Sequence, residues 1–422
     1  MEGIVYPRTI GLDIHQKMIV CCFTAVQEDL TIIKETAEFE TFKRGLKALA
    51  SWCRERTPDV VIMESTGIYW KAPYAYLERA GIVPAVVNPR HIKNLEGKKT
   101  DMADAEWLAV VARGGMFCRS YVPKEVYRHM RVLSRHVLGV TRSRQQYKNR
   151  ISKILADAGA RLNVVFSDIS GVNAQRCVKG LIAGMKPEDI AATLDYSHLK
   201  ATREDIVAAM ECELTPAHLA TLEALVEIVD FLTKQIDKGR KTLLEMIPES
   251  DREMLMILQT IPGVQETAAL ELIVELGGDN LEPFAYADRL ASWVGLCSGN
   301  KESGGKRKPA HTRKGNMYLR RILCEIAHAA VKTKGSTFQS KYKSLRIRKG
   351  AGKTIVAIAC KIIKLVYTLV KKREGYRDPH IDYEKMRLQK NPKRHIQSLF
   401  KLEDWQIRAV NTKTGEVLES TH

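Results

Sequence analysis

Residues 9–14, Thr9-Ile10-Gly11-Leu12-Asp13-Ile14, alternate around Ile10, Leu12 and Ile14 with the two-residue period of a β-strand. Met18–Phe23 is a second apolar run, and Leu30–Glu35 reads as a third strand paired with it. Phe42–Arg54 then changes to helical spacing through Leu46, Leu49 and Trp52. Val60–Met63 is a short strand that stops at Glu64, Trp70–Ala80 is helical, and Ile82–Val87 is a strand closed by Asn88-Pro89. A further helix begins at Asp104 and runs to Ala112. Three strands followed by helix, strand, helix, strand, helix predict an α/β layer fold with a mixed sheet.

Strand signals stop near Pro123. Val126–Ala158 reads as one long Arg-rich helix, and Gly159–Pro216 is mixed, with turns at Ser170-Gly171 and Lys186-Pro187 and no recognisable motif. Leu222, Leu225, Val229, Leu232, Ile236, Leu243 and Met246 fall on a/d heptad positions. That run predicts a coiled coil or long helical hairpin, or equally one amphipathic helix packed on its own domain. Met254–Thr260, Ile261-Pro262-Gly263-Val264 and Thr267–Leu276 read as helix, tight turn, helix, a shape whose turn amides can face a phosphate. Phe284–Val294, Met317–Val331 and Thr354–Val370 are helices, and Ser298–Gly315 is a polar loop. The expected division is 1–122, α/β; 123–250, a helical linker whose coiled coil pairs protomers; 251–375, mainly α; and 376–422, a loosely held polar tail.

The 422 residues carry 67 Lys+Arg against 49 Asp+Glu, a net +18, with 45% apolar residues, which excludes wholesale disorder. No stretch of eighteen residues is free of charge, and MEGIVYPRTIGLDIHQK is no basic-then-apolar leader, so neither a membrane nor a secreted protein is expected. Nine cysteines without a C-x-x-C pair argue against a disulfide framework or a thiolate zinc site and for a reducing cytosol. Lys301–Gly375 holds 21 Lys/Arg and three acids, so this segment accounts for the whole +18. Such an excess is the footprint of a polyphosphate-binding surface. Lys301, Lys306, Arg307, Lys308, Arg313 and Lys314 in the loop, with Arg320, Arg321, Lys361 and Lys364 on the helices, are the candidate nucleic-acid contacts.

Four carboxylates stand out. Asp13 lies within the first strand between Leu12 and Ile14, Glu64 ends the Val60–Met63 strand, and Asp101 and Asp104 are three apart at a helix entrance, hence on one face. An acid among apolar strand residues is costly to bury without a compensating cation. Four of them suit two Mg²⁺ ions, hard cations that prefer oxygen ligands and can serve in-line phosphoryl displacement, with Mn²⁺ as a substitute.

These motifs together resemble a known family. Gly11-Leu12-Asp13-Ile14-His15 with Lys17, Met63-Glu64-Ser65-Thr66-Gly67-Ile68-Tyr69, Val87-Asn88-Pro89 and Lys99-Thr100-Asp101-Met102-Ala103-Asp104-Ala105 are similar to the DEDD transposases of the insertion-sequence-110 family. Ile261–Val264, Ala291–Leu296, Glu302-Ser303-Gly304-Gly305 and Lys314-Gly315-Asn316 leading into Leu319-Arg320-Arg321 extend the resemblance, in order, over residues 250–375. It implies a RuvC-like domain of ribonuclease-H fold at the N-terminus and a C-terminal transposase domain whose catalytic serine matches Ser303. It further implies a bacterial, cytoplasmic recombinase, nucleoid-associated when acting, guided by an element-encoded noncoding RNA that pairs with target and donor DNA. The working form would be a homo-oligomer, dimer or tetramer, with the acids of one protomer meeting the serine of another. From the residues alone Ser303 is a small nucleophile in a Gly-rich loop flanked by cations, which also suits an ordinary loop serine. A structure-selective junction endonuclease and a non-enzymatic nucleic-acid-binding protein remain the alternatives.

Overall fold

The computed structural model describes residues 5–65, 67–89, 92, 104–299, 302–303, 306–307, 312–390 and 408–419. It divides into two compact units, Met1–Glu125 and Val126–His422. The first is a mixed α/β layer and the second is mainly helical.

In the first unit β1 (Arg8–Ile14), β2 (Met18–Val26), β3 (Ile32–Glu40), β4 (Val60–Glu64) and β5 (Ala85–Val87) form one sheet of order β3-β2-β1-β4-β5. β1–β2–β3 is antiparallel, whereas β4 runs parallel to β1 and β5 parallel to β4. The alternation anticipated around Ile10 and Leu12 divides the side chains between two faces. Ile10, Leu12, Val61 and Met63 pack with Leu46, Leu49 and Cys53 of helix α1 (Lys43–Glu55) and Leu77 of α2 (Lys71–Arg79). Val60 and Ile62 face the other way, onto Trp107 and Leu108 of α3 (Asp104–Arg113). The third strand starts and ends later than Leu30–Glu35 because Leu30, at φ 66°, closes a turn whose N–H bonds to Gln27 O. β3 is the sheet edge and carries Lys34, Glu35, Glu38 and Glu40, charges that discourage pairing with another strand.

The second unit begins with α4 (Glu125–Asp157). Four short helices follow, α5 (Leu162–Val165), α6 (Val172–Ile182), α7 (Pro187–Ala192) and α8 (Arg203–Met210), and then α9 (Pro216–Met246). Thr202 and Thr215 start α8 and α9 with capping boxes, and Pro216 occupies the first turn of α9. α4 and α9 are antiparallel. A Cβ on Gly239 would lie 2.4 Å from Val137 Cγ2, and Arg144 Nη1 bonds to Thr233 Oγ1 at 3.2 Å, so rising numbers in one helix meet falling numbers in the other. Most of the heptad stripe is thus covered within the chain itself, while Leu232 and Met246 are half-buried. Leu222, Leu225 and Val229 lie in the core formed by Ile151, Leu155 and the short helices, and Ile236 and Leu243 are buried within the same chain.

Helices α10 (Arg252–Gln259), α11 (Glu266–Leu276), α12 (Ala287–Val294), α13 (Met317–Ala330), α14 (Thr337–Lys349) and α15 (Ala351–Lys372) complete the unit, α15 packing against α12, α13 and α14. The Ile261–Val264 turn is a closely packed corner. Ile261 and Val264 are buried, and a Cβ on Gly263 would meet Ala329 Cβ and Ala330 N at 2.8 Å. The start of the expected loose tail is also held. Tyr376 stacks on Phe338 at 5.7 Å, Asp378 accepts from the N–H and hydroxyl of Thr337, and α16 (Tyr383–Lys390) packs on α14. A small hairpin, Arg408–Val410 with Val417–Glu419, follows. All nine cysteines are free thiols, and burial pushes those of Cys22 and Cys177 up to about 11, which keeps them protonated and unreactive.

Candidate active site

The parallel register of β1 and β4 ends with Leu12 beside Met63, which makes Asp13 and Glu64 the next residues on neighbouring strands. Thr9, Gly11 and Asp13 share one face of β1; Val60, Ile62 and Glu64 share the same face of β4, the face covered by α3. Asp13 and Glu64 are both half-buried. Asp104 opens α3, and Gly11 fixes where that opening lies. A Cβ at Gly11 would stand 2.0 Å from Ala105 O, 2.6 Å from Ala109 N and 2.9 Å from Leu108 Cβ, so the first turns of α3 rest directly on the strand backbone. Ala105 and Ala109, buried and small, permit the same approach from the helix side.

Three of the four expected acids thus come from elements that meet at the C-terminal ends of the inner strands β1 and β4, and Asp101 lies outside the described residues. Among the described residues no three His, Cys, Asp or Glu side chains form a group able to hold a metal ion. The fit to a metal rests instead on donor chemistry: carboxylate oxygens, half-buried at Asp13 and Glu64 and exposed at Asp104, are the ligands that hard divalent cations take. His15, quoted above as part of the Gly11–His15 motif, was given no role by the sequence. Its Nε2 lies 2.9 Å from Asp13 Oδ2, with side-chain exposures of 60% and 28%. Its place two residues after Asp13 was the available signal, and the contact fixes the Asp13 carboxylate from its outer side.

Ser303 lies in a hairpin and not in the open loop expected. Strand β6 (Glu302–Ser303) pairs antiparallel with β7 (Lys306–Arg307), Ser303 opposite Lys306; Lys301, Gly304, Gly305 and Lys308 lie outside the described residues. The base of this segment is firmly pinned. Gly295 ends α12 at φ 83°, and a Cβ on Gly315 would fall 2.4 Å from Gly295 N, so the two ends of the segment cross backbone to backbone. Ser298 bridges to Thr312, and Arg313 N–H bonds to Cys297 O at 3.3 Å.

Asn316 is the keystone. Its side-chain oxygen caps α13 through the N–H groups of Tyr318 and Leu319 at 3.0 and 3.2 Å, while Nδ2 donates to Glu275 Oε2 at 2.9 Å. Arg135 clamps the same carboxylate through Nε and Nη2 at 2.8 and 2.9 Å, and Arg131 Nε stands 3.6 Å from it. Glu275 is 3% exposed. Burial pushes its pKa up, but hydrogen bonds from Arg135 and Asn316 and the charges of both arginines outweigh that and hold it below the ordinary carboxylate value.

The candidate phosphate contacts divide. Arg313 and Lys314 are exposed. Arg320 Nη1 bonds to Gly295 O at 3.2 Å and Thr312 Oγ1 at 2.8 Å, and Arg321 joins Glu271 and, at 2.7 Å, Glu325. Lys361 Nζ donates to Tyr383 OH at 3.0 Å, and Lys364 pairs with Asp288. These four are half-buried and brace the helices, which is a reason for their presence independent of any ligand.

Comparison with known proteins finds two family matches along the chain. A family model described as a transposase, of the DEDD type of IS110, matches residues 10–159. A second, described as the transposase IS116/IS110/IS902 family, matches residues 255–343. The chain is 30% identical over 124 residues to the transposase for insertion sequence element IS1111A of Coxiella burnetii (strain RSA 493 / Nine Mile phase I). That match covers 28% of this chain, and the chain spans about a third (34%) of the relative's length. The two family matches together take in more than half of the sequence, and the chain belongs to the IS110 family of transposases. No helix among the described residues is long and apolar enough to cross a membrane.

Proposed function

We propose that the protein is a DNA transposase that cuts and rejoins strands with the carboxylates of Asp13, Glu64, Asp101 and Asp104 and the hydroxyl of Ser303. The observation that carries the reading is the alternation that turns Asp13 and Glu64 to one sheet face at adjacent strand ends, under the helix that Asp104 opens. The sheet order, antiparallel for β3-β2-β1 and parallel for β1-β4-β5, supports a ribonuclease-H-like, RuvC-type reading of the first unit.

Mg²⁺, or Mn²⁺ in its place, would be held by the four carboxylates and would supply neutralisation of charge on the phosphoryl oxygens. The residues of the chain do the rest. Ser303 Oγ attacks phosphorus, the bond from phosphorus to the sugar oxygen breaks, and the Oγ proton passes by way of a carboxylate to the leaving oxygen. The phosphoserine ester preserves the bond energy, so a hydroxyl of the new partner strand can attack it, release Ser303 and complete the exchange without ATP. Exposed Arg313 and Lys314 border the serine hairpin and would offset phosphate charge. Guidance by a structured noncoding RNA that pairs with target and donor DNA, and a homo-oligomer that joins acids and serine from different protomers, complete the proposal. Family membership supports this reading, and the +18 segment supports a polyphosphate partner.

Asp13→Asn and Glu64→Gln should abolish strand cleavage while leaving folding and nucleic-acid binding intact. Wild-type cleavage in either variant, or in excess EDTA, contradicts the proposal. Sequencing the nucleic acid that co-purifies with the protein tests the guide: one discrete structured RNA is expected, and a random population argues against guidance.

A further inference from the structure

Helix α4 carries eight Lys or Arg and no acid between Val126 and Ala156. Its charge is hidden in the whole-chain arithmetic, because acids elsewhere balance it. Four of the eight have identified internal roles. Arg131 and Arg135 meet Glu275, Arg144 donates to Thr233, and Lys148 stands 3.6 Å from Asp168. Arg142, Arg150 and Lys153 are exposed and enter no ion pair among the described residues.

These three form a row with a definite geometry. Arg142 and Lys153 are eleven residues apart, three helical turns, so they project from the same side and are separated by roughly 16 Å along the axis. Exposed Gln145, Gln146 and Asn149 fill the interval, and Arg150 flanks it. The row is ordered before any partner arrives. Gln145 Nε2 donates to Asn149 Oδ1 at 3.0 Å, and the Arg150 guanidinium lies 5.0 Å from the Tyr147 ring centroid. Behind it the helix is supported by α9, where Val137 packs on Gly239.

We infer that this face of α4, from Arg142 to Lys153, is a docking surface for duplex DNA. The inference rests on the reading of the protein as a DNA transposase and adds a contact surface outside both the acidic residues and the serine segment. An acid-free row of cations on a straight helix complements a phosphate backbone. The carboxamides between the cations are the side chains that pair with adenine edges in a major groove. A B-form major groove admits an α-helix, whereas that of A-form RNA is too deep and narrow, which selects DNA.

The test uses the full-length protein with Arg142→Gln, Arg150→Gln and Lys153→Gln combined, exposed positions where Gln keeps the helix. Affinity for a B-form DNA duplex and for an RNA duplex of the same sequence is measured by anisotropy across a salt series. Loss of three phosphate contacts should flatten the DNA slope of log K against log salt by about 2.7, at about 0.9 per contact, and change RNA affinity little. Lys234→Gln with Lys238→Gln, on α9 beside Asp237, should leave the DNA slope unaltered. An unchanged DNA slope in the triple variant, with tight binding by the wild type, overturns this inference and leaves the transposase reading standing. Equal loss on RNA and DNA also overturns it, as does the same flattening from the α9 pair. Wild-type protein that binds no DNA sinks both.

Discussion

Replacing Gly11 by Ala probes the contact on which the placement of the acids depends. The added methyl would stand 2.0 Å from Ala105 O and 2.6 Å from Ala109 N, both backbone atoms of α3 that no rotamer change can clear. Ordinary contact requires roughly 3.4 Å or more, so strand and helix must separate by about 1 Å or more. Overpacking of this kind costs about 1–3 kcal/mol, and the absence of a yielding side chain puts Gly11→Ala at the upper end. The displacement falls at the turn that begins with Asp104, and Gly11 itself is two residues along the strand from Asp13. A shift of about 1 Å in catalytic geometry can cost on the order of 100-fold in rate. Urea unfolding of the first unit and single-turnover strand cleavage, measured on the same preparation, separate the two effects. The expected result is a loss near 3 kcal/mol and a rate reduced by about two orders of magnitude at temperatures where the variant is still folded. Unchanged cleavage with unchanged stability would refute the argument that α3 is seated on Gly11 to place Asp104.

Glu275→Ala should destabilise the second unit by about 3–5 kcal/mol, because Arg131 and Arg135 lose the buried carboxylate that both address. Since the Glu275 pKa is held low in the folded protein, its contribution is complete above the ordinary carboxylate value of about 4.3 and is lost as pH falls through the folded-state value. The gap in urea midpoint between wild type and Glu275→Gln should therefore be constant near neutrality and shrink only in acid; a gap that grows in acid contradicts the assignment. Ile236→Ala, in the heptad stripe, should cost about 2–5 kcal/mol of unfolding free energy and leave the oligomeric state seen by sedimentation unchanged. Dissociation without destabilisation would return the stripe to a protomer interface.

The first unit was legible because its strands and helices carry clear periods. Ile10 and Leu12 alternate, Leu46 and Leu49 recur at helical spacing, and the resulting layers coincide with the two packed faces of the sheet. The start of β3 was missed since Leu30 is an apolar residue used in a turn, where a strand reading counts it as strand. Helix α14 escaped notice because only Thr337 and Phe338 of its thirteen residues are buried, so no apolar stripe marks it. The heptad pattern of α9 was real, but periodicity records only that a helix has an apolar side and is silent on whether α4 or a second chain covers it. The roles of Arg320 and Arg321 were hidden for a related reason. Their partners, Gly295, Thr312 and Glu271, are 8 to 50 positions away and become neighbours only when α11, α12 and α13 pack together. The sequence placed Asp13 and Glu64 on or at the end of strands, whereas their shared sheet face became explicit only with the register of β1 on β4.

The central claim, that strands are exchanged through Ser303 at a carboxylate centre, is tested most directly by trapping the covalent step. The protein with its co-purifying RNA is incubated with Mg²⁺ and end-labelled DNA spanning an element junction, then resolved on a denaturing gel. Wild type should give a labelled protein–DNA band that protease removes and that both Ser303→Ala and Asp13→Asn lack, with all three preparations binding the DNA equally. Cleaved DNA with no such band in the wild type, or the band undiminished in Ser303→Ala, would contradict the account.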